Sequence, residues 1–178
     1  MATAKKSTAK KSTAKKPAAT ARAAKTDATV LLQRDHADVK KLFRQYEKLA
    51  DAEADGEERQ ALAMQICQML TVHATIEEEI FYPAAREAEV EDDLLDEAEV
   101  EHASAKDLIA QIHAMDPHDD LYDAKVKVLG EYIDHHVKEE RNEMFPKARA
   151  ARKLDLVAMR DEIEARKEEL MAELGAMA

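Results

Sequence analysis

A chain of 178 residues with three Gly, four Pro and no Trp is long enough for one domain with a real core, and it lacks the β-branched alternation that strands need. Its single Cys excludes an intramolecular disulfide and fits a reducing compartment, and no apolar run is long enough for a signal peptide or a membrane span. The formal charge of −11 is unevenly shared: residues 1–26 hold eight Lys/Arg and no acid, so the remainder is more acidic than the average suggests.

Residues 4–25, AKKSTAKKSTAKKPAATARAAK, carry the pentads KKSTA, KKSTA and KKPAA and no large apolar side chain. Such a segment buries too little surface to offset its ordering entropy, so residues 1–26 are expected to form a disordered basic tail. The tail resembles the Lys/Ala/Pro-rich tails of linker-histone-like proteins, which implies non-specific DNA binding through phosphate neutralisation. A solubilising tail explains the same composition. A mitochondrial presequence does not, because the segment is Lys-rich and has no apolar face. We expect a soluble, cytoplasmic protein, nucleoid-associated if the tail holds DNA.

Five helices follow from the apolar spacing. The first is expected from about Asp27 to Asp51, with Leu32, His36, Val39, Phe43 and Tyr46 inward and Thr26 or Asp27 as N-cap. The second follows Gly56, with Leu62, Ile66, Met69/Leu70, His73, Ile76/Glu77 and Ile80 inward, and Pro83 either kinks or ends it. The third spans about Asp92 to Met115 with Leu95, Ala98, His102, Ala105, Ile109 and Ile112 inward. The fourth runs from about Asp119 beyond Pro146, carrying Val126, Leu129, Ile133, His136 and Glu140. The fifth, about Leu154 to Leu174, has an apolar row interrupted by Arg166 and Lys167. Short connections between long amphipathic helices predict an all-α, up-down-up-down four-helix bundle over 27–151, with residues 152–178 as an added C-terminal helix.

One motif is written twice. HATIEEEIFYP at 73–83 and HVKEERNEMFP at 136–146 each place a Glu four residues after a His, and an aromatic-Pro pair beyond it. Positions four apart stack on one helix face, so His73 with Glu77, and His136 with Glu140, each present an imidazole and a carboxylate to one point. An acid-His pair precedes each copy, Asp35-His36 and Glu101-His102, at similar separations. In an antiparallel bundle the levels of the four histidines coincide within about two turns, and burying so many ionisable groups without a cation would be costly. His135 competes with His136, but only His136 shares a row with Leu129, Ile133 and Glu140.

The ordered series His, HxxxE, His, HxxxE resembles the hemerythrin-like, or HHE cation-binding, domain family over about residues 28–150. The resemblance implies His36, His73, Glu77, His102, His136 and Glu140 as ligands of a non-haem di-iron centre with both Glu bridging. Zinc or manganese suits the same donors. It further implies oxygen or another small redox ligand as partner, in binding or sensing or in iron handling. Oxygen-carrying hemerythrins place a second His where this chain has Lys106, and an Asp where it has Glu140, so stable oxygen carriage is not expected.

Glu78 and Glu79 read as a solvated face and His113 and His118 as uninvolved, while Lys106, one turn from His102, reads as a snorkelling surface side chain in preference to a cation pointing at the site. No nucleophile-base pair or phosphate loop favours an organic substrate. Three functions remain on the sequence alone: a di-iron binding or sensing module, a di-iron enzyme acting on peroxide or ferrous iron, and a nucleoid-associated protein using its basic tail.

Overall fold

The computed structural model describes Met1 and residues 26–177. Disorder and DNA binding of the basic tail are expectations that fall almost wholly outside the described residues. Among the described residues the chain is all helical. α1 is Ala28–Asp51, opened by Asp27, whose carboxylate accepts from the Val30 amide at 3.1 Å. α2 is Gly56–Ile76, opened by Asp55, which accepts from the Glu57 amide at 2.8 Å. A Cβ on Gly56 would stand 2.5 Å from the His118 ring, so a larger residue at the start of α2 would turn that exposed side chain aside.

A π-helical turn, Glu77–Phe81, joins α2 to the short α3, Tyr82–Glu87. α4 is Asp92–His113 and α5 is Tyr122–Glu139. A second π-helical turn, Glu140–Met144, leads into α6, Phe145–Ala150, and α7 is Leu156–Met177. α5 begins later than the expected Asp119. Asp119 accepts from the Asp116 amide and Asp116 from the His118 amide, and these side-chain bonds hold the backbone in turns that compete with a helix.

The two π turns answer what Pro83 does. Proline has no amide to give the carbonyl four residues back and its ring crowds that carbonyl, so the helix widens just ahead of it. The Tyr82 amide reaches the Glu77 carbonyl, and the Phe145 amide the Glu140 carbonyl, five residues back in each case. Neither rod ends at its proline. The extra residue rotates the remainder of each rod, so Phe81 and Tyr82 are buried where Ile80 was expected, and Met144 and Phe145 occupy the matching places.

α1 packs on α2 and α5, and α4 packs on the same two, which closes the bundle. α7 lies against α1 and α2, seated by Leu156, Met159 and Ile163. The core divides into two apolar clusters. One gathers Leu32, Ile76, Phe81, Leu95, Phe145 and the α7 residues, and the other gathers Val39, Ile66, Leu70, Ile109, Ile112 and Leu129. On each long rod the predicted histidine falls between the two, as His36 does between Leu32 and Val39. The site is a polar layer between two apolar cores.

Candidate metal centre

His36, His73, His102 and His136 are buried, and Glu77 and Glu140 are sealed from solvent. The four imidazoles turn their Nε2 atoms inward: His36 to His73 is 2.8 Å and His102 to His136 is 3.2 Å. Glu140 Oε2 lies 3.2 Å from His36 Nε2 and 3.6 Å from His136 Nε2. Glu77 Oε2 lies 3.2 Å from His73 Nε2 and 3.5 Å from His102 Nε2. Each carboxylate therefore touches an imidazole from both helix pairs. Donor atoms fall into two overlapping groups, His36, His73, Glu77 and Glu140, and Glu77, His102 and His136.

These residues fit a cation. Both oxygens of Glu77 and Oε2 of Glu140 are buried without a hydrogen-bond donor, a costly arrangement unless a positive ion answers it. Ligand atoms at right angles on an ion with bonds near 2.1 Å stand about 3 Å apart, close to the spacings here. Imidazole with carboxylate oxygen suits iron, zinc or manganese.

The Nδ1 atoms face outward to carboxylates, which orient the rings. Glu101 Oε2 is 2.8 Å from His136 Nδ1 and Glu78 Oε1 is 3.0 Å from His102 Nδ1, while Asp35 Oδ2 stands 3.6 Å from His73 Nδ1. Each acid of an acid-His pair thus serves a histidine of the following rod. His73 Nδ1 stands just beyond hydrogen-bond reach of Asp35, and His36 Nδ1 has no carboxylate beside it. The repeat explains this: Glu78 corresponds to Arg141 in the second copy, and a guanidinium cannot accept a proton from an imidazole.

Glu78 is accordingly no solvated acid. It bonds His102 and takes the Lys106 ammonium at 2.7 Å, so Lys106 acts on the centre through Glu78. Glu79 pairs with Arg166 of α7. The Lys167 ammonium binds Asp35, so the apparent break in the apolar row of the fifth helix is a contact to the site. His135 points outward with its side chain 63% exposed, whereas that of His136 is 4% exposed.

Tyr82 was missed by the sequence reading, hidden in the aromatic-Pro signal. Its hydroxyl lies 3.2 Å from Glu140 Oε1 and 3.3 Å from His102 Nε2. Burial, then the charges of Glu77 and Glu140, push its pKa well above the usual tyrosine value, so it stays a neutral donor. The second copy has Phe145 there, stacked on the His36 ring with centroids 6.0 Å apart.

Burial alone would lower the pKa of His73, but the Glu77 charge and the nearby carboxylates of Asp35 and Glu140 outweigh it and raise it to about 10. Burial is likewise outweighed at His136, where Glu140, the bond to Glu101 and Glu77 raise it to about 9. At His102 burial wins, helped by His136, and the value is lowered. Glu140 is held down at about 2: burial opposes this, but His136, His36 and His73 prevail.

A cavity of about 290 Å³ opens onto the imidazoles of all four histidines. Val39, Leu70 and Ile109 wall it, and exposed Lys106 and Met171 with half-buried Lys167 lie at its outer end.

Comparison with known proteins decides the family, since the hemerythrin HHE cation binding domain matches residues 27–148. The chain belongs to the hemerythrin HHE cation binding domain family. A crystal structure of an HHE cation binding domain-containing protein from Mycobacterium kansasii superposes with a TM-score of 0.67 at 23% identity, covering 83% of this chain and 89% of that one, which shows a shared fold. A protein from Nostoc sp. (strain PCC 7120) named DNA nickase is 30% identical over 115 residues, 65% of this chain. The match spans only 31% of that relative's length. The HHE match covers the four rods and ends before α7, although Lys167 of α7 reaches Asp35. No described helix is long and apolar enough to cross a membrane.

Proposed function

We propose that this HHE domain holds two non-haem iron ions on His36, His73, Glu77, His102, His136 and Glu140, and binds or senses oxygen or a related small redox ligand. The reading is carried by four inward imidazoles converging on two sealed carboxylates, of whose four oxygens three lack donors. His36 and His73 would hold one ion and His102 and His136 the other, with Glu77 and Glu140 shared. Bound iron would supply reversible ligand binding and one-electron chemistry. The chain orients the rings through Asp35, Glu78 and Glu101, aims the Tyr82 hydroxyl at Glu140, and lines the approach to the imidazoles with Val39, Leu70 and Ile109. Zinc or manganese is compatible with the same donors.

Metal analysis of protein purified with iron, with visible spectra before and after oxygen, tests this. About two irons per chain are expected. His73→Ala and His136→Ala should each lose most of the metal while His135→Ala keeps it. Full metal content in the first two would overturn the ligand set.

Two further readings have some support. A cavity of about 290 Å³ reaches the four histidines, which gives a small oxidant a route to the centre and supports a di-iron enzyme acting on peroxide or ferrous iron. The basic tail, and a relative named DNA nickase, favour non-specific DNA contact through residues 1–26.

A further inference from the structure

The segment HHVKEE contains two HxxxE pairs offset by one residue. His136 and Glu140 face the centre, and a step of 100° turns His135 and Glu139 outward. The outward pair meets Glu101 of α4: His135 Nε2 lies 3.3 Å from Glu139 Oε1 and 3.4 Å from Glu101 Oε1. One donor atom from each residue lies within 4.8 Å of the other two. The repeat does not create this group, because the matching positions in the first copy are the buried Val72 and Ile76.

We propose that Glu101, His135 and Glu139 form an outer divalent-cation site that feeds the buried centre. One imidazole and two carboxylates, with water filling the remaining positions on an exposed face, suit ferrous iron, manganese or zinc. Glu101 links outside to inside: while Oε1 faces His135, Oε2 accepts from Nδ1 of His136, 2.8 Å away. A buried metal site needs an entry path. The outer face attracts dications, since Glu97 and Glu143 add their charges near Glu139. The inference rests on the buried centre proposed above.

The experiment mixes metal-free, full-length protein with ferrous iron under anaerobic conditions for increasing times, then adds a chelator and follows iron release by stopped flow, so that the size of the slowly released pool at each time gives its filling rate. Wild type should release one pool at once, from the outer site, and a second pool slowly, from the buried centre. His135→Ala/Glu139→Gln changes no proposed ligand of the buried centre. It should lose the fast pool, keep the slow one, and fill the slow one about tenfold more slowly, the scale on which focused charge raises on-rates. A wild type with a slow pool alone, or a double variant that fills at the wild-type rate, would overturn the outer site as a loading site. A wild type with no slow pool would instead refute the buried centre, and the loading role with it.

Discussion

The Lys167 ammonium of α7 binds the Asp35 carboxylate of α1, whose other oxygen faces Nδ1 of His73 at 3.6 Å. A helix outside the matched HHE region therefore acts on a ligand of the proposed centre at one remove. Burial opposes ionisation of Asp35, yet the nearby His73 ring and the bond to Lys167 hold its pKa below the usual value. Asp35→Asn should weaken iron binding about 10- to 100-fold, the usual cost of removing such a partner. Lys167→Met should weaken it less, since Asp35 remains. Both affinities come from competition with a chelator of known strength. Equal affinity in Asp35→Asn and wild type would show that Asp35 does not position His73.

Tyr82 supplies the hydrogen-bond donor nearest to Glu140 Oε1. Tyr82→Phe keeps the ring, which packs edge-on to Phe81 with centroids 5.9 Å apart, and leaves that oxygen buried without a donor. Metal-free protein should lose about 1–3 kcal/mol, the cost of a buried acceptor left unpaired. Urea unfolding of the two proteins without metal measures the difference. No loss would mean that the hydroxyl contributes nothing to holding Glu140.

The convergence of six residues was legible because an imidazole and a carboxylate four residues apart must share a helix face, and the structure brings all six together. The inward row of α4 was fully legible for the same reason, as all six residues named for it are buried. Long-range pairing lay beyond periodicity. Glu78 and Glu79 look alike in an acid run, yet one binds a buried histidine and the other an arginine of α7, and only the packed neighbours distinguish them. Tyr82 was illegible for a local reason: the π turn ahead of Pro83 shifts the row by one residue, so counting in threes and fours selects Ile80.

DNA binding is proposed for the basic tail alone. The full chain should retard DNA at low salt and lose affinity steeply as salt rises, because each neutralised phosphate releases counterions. A chain beginning at Thr26 should not bind, since the acidic bundle repels the backbone. Retained binding by the shortened chain, measured by gel shift at two salt concentrations, would place the DNA contact on the bundle and refute the tail.

Metal and protons compete for the same histidines, which fixes the sign of the pH dependence. His73 and His136 are raised to about 10 and about 9, against about 6.5 in an unfolded chain. Across that interval the metal-free folded state holds protons that the unfolded chain has released. The stability these residues contribute is thus complete below about pH 6.5 and is lost as pH rises through 9 to 10. Glu140, held at about 2, acts oppositely: its contribution is present above its ordinary 4.5 and lost as pH falls toward 2. His102, lowered, weakens the fold further on the acid side, because the unfolded chain takes up its proton first. Metal-free melting temperature should therefore fall from pH 6.5 to pH 9. Binding iron must expel the same protons, so affinity and the stabilisation by iron should grow over that range. Thermal melting at pH 6.5, 7.5 and 9, with chelator or with ferrous iron in the absence of oxygen, should give curves that diverge as pH rises. A constant offset between them would mean that His73 and His136 release no protons to the metal, and equal melting temperatures at every pH would mean that the cluster binds no iron.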